Sequence, residues 1–168
     1  MIKYEVYDLI SAAKEGKVNV IAHCCNCFNT MKSGIAPLVA KAFPGAERVD
    51  KQTKRGDKSK LGGLTESFCV EYGVAVYNLY GQFGFWGRRE GKMDLDYNAL
   101  DSSLSKMAAD LHAWCRIIDY DPKEFRIGLP KLGAGLAGGD WSLISVMIAR
   151  HLGMFDVTIY VLKESDIG

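Results

Sequence analysis

Apolar residues along this chain recur in two rhythms that take turns. Residues 2–7 and 18–23 run apolar or alternate at every second position, which predicts strands. From Gly34 the period changes. Ile35, Leu38, Val39, Ala42 and Phe43 fall at i, i+3, i+4, i+7 and i+8, one face of a helix. Pro37 suits its first turn, where a missing N–H costs little, and Pro44-Gly45 is expected to end it. Residues 51–60 are polar and basic. Residues 67–72 and 74–79 predict two strands turning at Gly73, and 81–92 a loop rich in glycine and aromatics that carries Arg88-Arg89. Tyr97, Leu100, Leu104, Met107, Leu111 and Trp114 mark a long amphipathic helix with Asp94 or Asp96 at its cap. A short loop, a strand at 126–129, a glycine-rich loop, a helix at 141–152 and a strand at 157–162 complete the chain. Strands interleaved with helices predict a single α/β domain over residues 1–168. Its helices should cover both faces of a mixed, mostly parallel sheet.

In such sheets ligands bind beyond the carboxyl ends of the strands. Two loops there have unusual polar content, residues 23–34 and 133–140. The second carries the stronger signal. From Arg126 the chain passes through Pro130 into a loop holding Gly133, Gly135, Gly138 and Gly139, then enters a helix at Asp140-Trp141. Glycine admits positive φ and lets backbone approach a ligand closely. A strand, a glycine-rich loop and a helix N-terminus together aim N–H groups at an anion, so a phosphate site is expected. The loop has no Gly-Lys-Ser/Thr ending, which excludes the common P-loop.

Composition narrows the possibilities. With 168 residues and 48% hydrophobic content the chain has ample core for one domain. A formal net charge of +1 gives no global field to recruit nucleic acid or anionic lipid. The basic run Lys51, Lys54, Arg55, Lys58 and Lys60 reads as a solvated face, with RNA binding as the minor alternative. No apolar run approaches the roughly 18 residues of a membrane span, and the opening Met1-Ile-Lys-Tyr-Glu-Val reads as a strand rather than a signal peptide. Five cysteines, three of them in Cys24-Cys25-x-Cys27, do not suggest a disulfide framework, and a reducing cytoplasm is the expected setting. No second Cys/His pair at zinc spacing accompanies His23-Cys24-Cys25-x-Cys27, so neither metal nor cofactor is expected. A monomer is the default.

Ala22-His-Cys-Cys-Asn-Cys27, followed by Ser33-Gly-Ile-Ala-Pro-Leu-Val-Ala-Lys-Ala-Phe-Pro44, resembles the first ligand loop of macro domains. It is closest to the branch holding ADP-ribose 1″-phosphate phosphatases, terminal ADP-ribose protein glycohydrolases and DNA ADP-ribosyl glycohydrolase antitoxins. Leu129-Pro-Lys-Leu-Gly-Ala-Gly-Leu-Ala-Gly-Gly-Asp-Trp141 resembles the same branch's Pro-x-x-Gly-x-Gly-Leu-x-x-x-x-Trp, and Val6-Tyr-Asp-Leu9 its Gly-Asp-Ile, with Tyr7 in place of glycine. Order and spacing agree over nearly the whole chain. The resemblance implies a three-layer α/β/α sandwich and a site for ADP-ribose, a small-molecule nucleotide partner.

Residue by residue, the resemblance implies that Asp8 accepts from the adenine amino group, although Asp8 equally suits the N-cap of a helix starting near Leu9. Backbone at Gly34, Ile35 and Ala36 would meet the proximal phosphate and ribose. Gly133, Ala134, Gly135, Leu136, Ala137 and Gly138 would wrap the diphosphate. Asn26 would lie against the distal ribose or satisfy local backbone. His23 stands where the phosphatase branch has histidine and could act as general acid or base, or be a strand-end histidine bonded to backbone. Asp140, before the tryptophan as in the antitoxin branch, could serve chemistry or cap the helix.

Departures from the branch bear on the reaction. Its protein and DNA glycohydrolases use a lysine after the central strand, where this chain has Asn78-Leu-Tyr-Gly-Gln-Phe-Gly84, and the terminal glycohydrolases also use an acid after Gly-Leu, where it has Ala137. Glycohydrolysis by that route is therefore not expected. What remains is a phosphatase-like set of His23, Asn26 and Asp140, with Arg88 or Arg89 reaching a 1″-phosphate through its planar fork and Tyr80 and Gln82 lining the distal ribose. The expected activity is hydrolysis of ADP-ribose 1″-phosphate to ADP-ribose and phosphate. The alternative is a non-catalytic binder of ADP-ribose or a related NAD-derived nucleotide.

Overall fold

The computed structural model describes residues 2–168. Its strands are β1 (Lys3–Val6), β2 (Val20–Cys24), β3 (Leu64–Cys69), β4 (Val74–Leu79), β5 (Arg126–Leu129) and β6 (Asp156–Val161). They form one sheet in the order β1-β6-β5-β2-β4-β3, parallel throughout except for the antiparallel β3–β4 hairpin. The predicted mixed, mostly parallel sheet is thus the observed one.

The period-two pattern sorts side chains to the two faces. Val20 and Ala22 of β2, with Tyr77 and Leu79 of β4, pack under α4 (Tyr97–Ile118) and α5 (Trp141–Leu152). Ile21, Val74 and Val76 face the other way, beneath α1 (Leu9–Lys14), α2 (Ala36–Ala42) and α3 (Pro44–Lys51). Leu100, Leu104, Met107 and Leu111 form the buried stripe of α4, at the spacing expected of it. Two helical layers around a sheet give the α/β sandwich.

The differences from expectation are local. Pro44 does not stop a helix. It occupies the first turn of α3, a position where its missing N–H is free of cost, so the chain breaks at Phe43 and resumes. The first hairpin strand begins at Leu64 and ends at Cys69, because Val70–Gly73 is taken up by the turn. Of the two cap candidates, Asp96 is the one used. Its carboxylate accepts the Ala99 N–H at 3.0 Å, whereas Asp94 accepts the Gly87 N–H.

Because β2 lies between β5 and β4, the segments leaving β2 and β5 emerge side by side at the carboxyl edge. That adjacency, created by pairing across a sequence gap of about a hundred residues (Val20↔Ile127), positions the site.

Candidate functional site

The segment after β2 and the glycine-rich segment after β5 enclose a cleft of 510 Å³. A second hollow of 370 Å³ adjoins it and shares Gly34, Ile35, Pro130 and Lys131. Asp8 and Tyr160 border the second hollow, whereas Asn26, Gln82 and Arg88 line the first. An elongated ligand could therefore run from Asp8, past the shared waist, to Arg88. Volumes of this size suit a nucleotide.

The waist is built of backbone. Gly34 (φ 62°) and Gly133 (φ 75°) hold left-handed conformations that side chains resist. The N–H groups of Gly34, Ile35, Gly133, Gly135, Leu136 and Ala137 all belong to residues lining the cleft, and none donates to an acceptor among the described residues. Free amides gathered at one place are donors in wait for an anion. The loop keeps its shape through Gly138 N–H to Gly135 O (3.1 Å) and Gly139 N–H to Gly133 O (2.8 Å). A Cβ on Gly139 would stand 2.3 Å from Leu95 Cδ2 and 2.6 Å from the Gly133 carbonyl, so only glycine closes it.

Other expected site residues divide. Asn26 and Gln82 line the cleft, although the Asn26 carboxamide is engaged at both ends, by Thr30 and the Phe28 N–H. Arg88 lines the cleft and Arg89 does not. Ala36 lines it, Ala134 packs on the core, and Gly138 sits against Met93. Asp8 caps α1 by accepting from Ser11 N and Oγ through Oδ2, which leaves Oδ1 without a donor among the described residues. Both readings of Asp8 fit this geometry.

Three expectations need correction. Tyr80 does not line a ribose. It is 1% exposed, and its hydroxyl bonds Asp50 (2.7 Å) and Thr65 (3.0 Å) inside the α3 layer. Asp140 does no chemistry in the cleft. Its carboxylate accepts from Ser142 N and Oγ at the start of α5, and it borders neither hollow. His23 is 2% exposed, with Nε2 only 2.7 Å from Asn78 Oδ1. The Asn78 amide nitrogen donates to Ala46 O and Thr65 Oγ1, which directs Oδ1 to the imidazole and puts its proton on Nε2. Burial lowers the imidazole to about 4, the Asn78 bond opposing only in part. His23 is among the residues lining the cleft, yet its buried, neutral imidazole is held by Asn78 as a strut between β2 and β4. Odd-numbered positions of β2 face the α1–α3 layer, and that parity turns His23 away from water.

Residues not singled out as site residues from the sequence complete the cleft: Thr30, Lys32, Ser33, Arg55, Phe85, Asp94, Pro130 and Lys131. Lys32, Arg55, Arg88 and Lys131 give it a positive wall, with Asp94 the one carboxylate among the lining residues. Arg55 arrives from the basic run, anchored by its bond to Phe28 O (3.0 Å). A charge count over the whole chain averages this local excess away. Among the described residues no group of three or more His, Cys, Asp or Glu could hold a metal ion, and no helix is long and apolar enough to cross a membrane.

No family model matches the chain. It is similar along its length to known proteins. An uncharacterised 17.5 kDa protein of Enterobacteria phage T4, from the tk-vs intergenic region, is 32% identical over 162 residues, covering 95% of each chain. An ADP-ribose 1″-phosphate phosphatase of Debaryomyces hansenii is 26% identical over 184 residues, covering 96% of this chain and 99% of the relative. Among solved structures, a macrodomain protein from Streptomyces coelicolor aligns with a TM-score of 0.70 at 25% identity, covering 96% of this chain and 99% of that one.

Proposed function

The chain belongs to the macrodomain family, and from that premise we propose that its cleft binds a nucleotide of the ADP-ribose class. The observation that carries this reading is the row of unpartnered amides from Gly34, Ile35, Gly133, Gly135, Leu136 and Ala137 at the waist between two hollows. Such a row matches a diphosphate, which offers acceptor oxygens on both sides of its bridging atom. Asp8 Oδ1 then awaits an adenine amino group at one end, and the distal ribose lies by Asn26 and Gln82 at the other. Titration calorimetry with ADP-ribose, ADP and AMP tests the reading. Affinity should rise from AMP to ADP to ADP-ribose, and equal affinity for all three would refute it.

A second reading is turnover of ADP-ribose 1″-phosphate. It draws on the name of the Debaryomyces hansenii relative and on Lys32, Arg55 and Arg88 beside the far hollow, cations suited to a phosphate monoester. Water would attack phosphorus and the bond to the 1″ oxygen would break. The leaving oxygen would receive a proton, and inorganic phosphate would be released. Asp94, the carboxylate of the lining, would take the proton of the attacking water in place of His23. Phosphate release by wild type, lost in Asp94→Asn with ADP-ribose binding kept, supports this reading. No release by wild type leaves a binding module.

A further inference from the structure

Beyond the far end of the cleft the loop 81–92 carries an aromatic cluster that the nucleotide reading leaves unused. Phe28 is its hub, with ring centroids 4.9 Å from Phe83 and 5.1 Å from Trp86, and Phe85 lies 5.6 Å from Trp86. The Trp86 ring rests on bare backbone, since a Cβ on Gly84 would stand 2.6 Å from it. Yet Phe85 and Trp86 remain 47% and 42% exposed. Two large rings held firmly and left in water are unusual unless something covers them.

The surroundings state what that something is. The Arg55 guanidinium lies 5.7 Å over Phe28 and the Lys58 ammonium 5.3 Å over Phe83. Arg88 and Arg89 stand on the turn after Trp86. All four cations are exposed, and none has a carboxylate within salt-bridge distance among the described residues. The acids nearby are otherwise employed. Asp57 caps the turn at Lys58–Lys60, Glu90 pairs with Lys92, and Asp94 accepts from Gly87. An aliphatic protein partner would call for apolar area without this charge. Alternating planar rings and unpaired cations suit a ligand that alternates planar faces and phosphates.

We propose that the Phe85–Trp86 rim, with Arg55, Lys58, Arg88 and Arg89, is a docking platform for single-stranded nucleic acid, whose unpaired bases stack on the rings while its phosphates meet the cations. A duplex hides its base faces in its own stack, so the platform distinguishes strands by pairing rather than by sequence. Because Arg55, Phe85 and Arg88 also line the cleft, a docked strand passes its mouth. The inference goes beyond the nucleotide cleft and stands without it.

Fluorescence anisotropy of a labelled 12-nucleotide mixed-sequence strand, as RNA, as DNA and as a duplex, tests the platform on the whole protein. The single strand should bind more tightly than the duplex, with log K falling against log salt at a slope of about −3 for four phosphate contacts. Trp86→Ala should weaken binding about tenfold and Trp86→Phe much less, stacking on one ring supplying the difference. Lys58→Glu with Arg89→Glu, both outside the cleft lining, should weaken it by a similar factor at unchanged melting temperature. That pair keeps the test sound if Trp86→Ala disturbs the loop. Equal affinity for duplex, equal competition by polyglutamate, or no response in either set of variants would overturn the platform. ADP-ribose calorimetry on the same samples separates the two ideas: a protein that binds strand but not ADP-ribose retains the platform and loses the cleft reading.

Discussion

The waist and the far wall of the cleft offer a ligand different things. At the waist, residues 133–139 offer backbone: left-handed glycine, free amides, and a Gly139 that tolerates no Cβ. At the far end, Arg55, Phe85 and Arg88 offer side chains brought from two separate stretches. Backbone recognition depends on a few strained positions and fails abruptly. Side-chain recognition is spread over several flexible groups and fails by degrees.

The largest effect should come from Gly139→Ala. The added methyl meets Leu95 and the Gly133 carbonyl, so the loop must open and ADP-ribose affinity should fall by about a hundredfold or more, consistent with backbone strain of a few kcal/mol. Calorimetry checks it, and a retained affinity would mean that the waist does not act through backbone shape.

Acid should come next, through the strut beneath the first loop. The unfolded His23 imidazole titrates near 6.5 and the folded one near 4, lowered by burial. Between those values the unfolded chain binds more protons, so stability present above pH 6.5 drains as pH falls toward 4, by up to roughly 3 kcal/mol. Urea midpoints at pH 7.5 and 4.5 measure the loss, and His23→Gln should be less stable at pH 7.5 but show a shallower fall.

Arg88→Ala probes the opposite wall. It should weaken a 1″-phosphate ligand about tenfold while changing ADP-ribose affinity little, the size of one charge-assisted bond. Equal losses for both ligands would place Arg88 on the shared diphosphate. Smallest is Asp140→Ala, which removes the α5 cap and should cost about 1 kcal/mol of stability without altering ligand affinity. Loss of turnover in that variant would restore Asp140 to the chemistry.

Legibility in the sequence follows the same division. The waist could be read because Gly133, Gly135, Gly138 and Gly139 fall within seven residues and their conformational meaning is local. The sheet could be read because period two and the helical period are local too; Pro44, with opposite meanings at a helix start and a helix end, misled, and so did the bounds of the first hairpin strand. The far wall could not. Arg55 bonds the carbonyl of Phe28, 27 positions away, and nothing in a basic run announces which of its members will turn inward. His23 failed differently. Its strand parity was visible, but that α3 would roof it through Ala46 O and Asn78 depends on a helix that the sequence pattern did not predict.

The cysteines at the end of β2, Cys24 beside Gly81 and Leu100 and Cys25 beside His23, acquire a practical meaning from their burial. Burial pushes the Cys24 thiol up to about 12 and Cys25 well above its ordinary range. Both therefore stay protonated near neutral pH, and thiolate is the form that alkylating reagents capture. Cys69, at the end of the edge strand β3 and half-buried, has no such cover. A maleimide dye should therefore settle on the hairpin and leave the cleft untouched, giving a labelled protein whose cleft is still native.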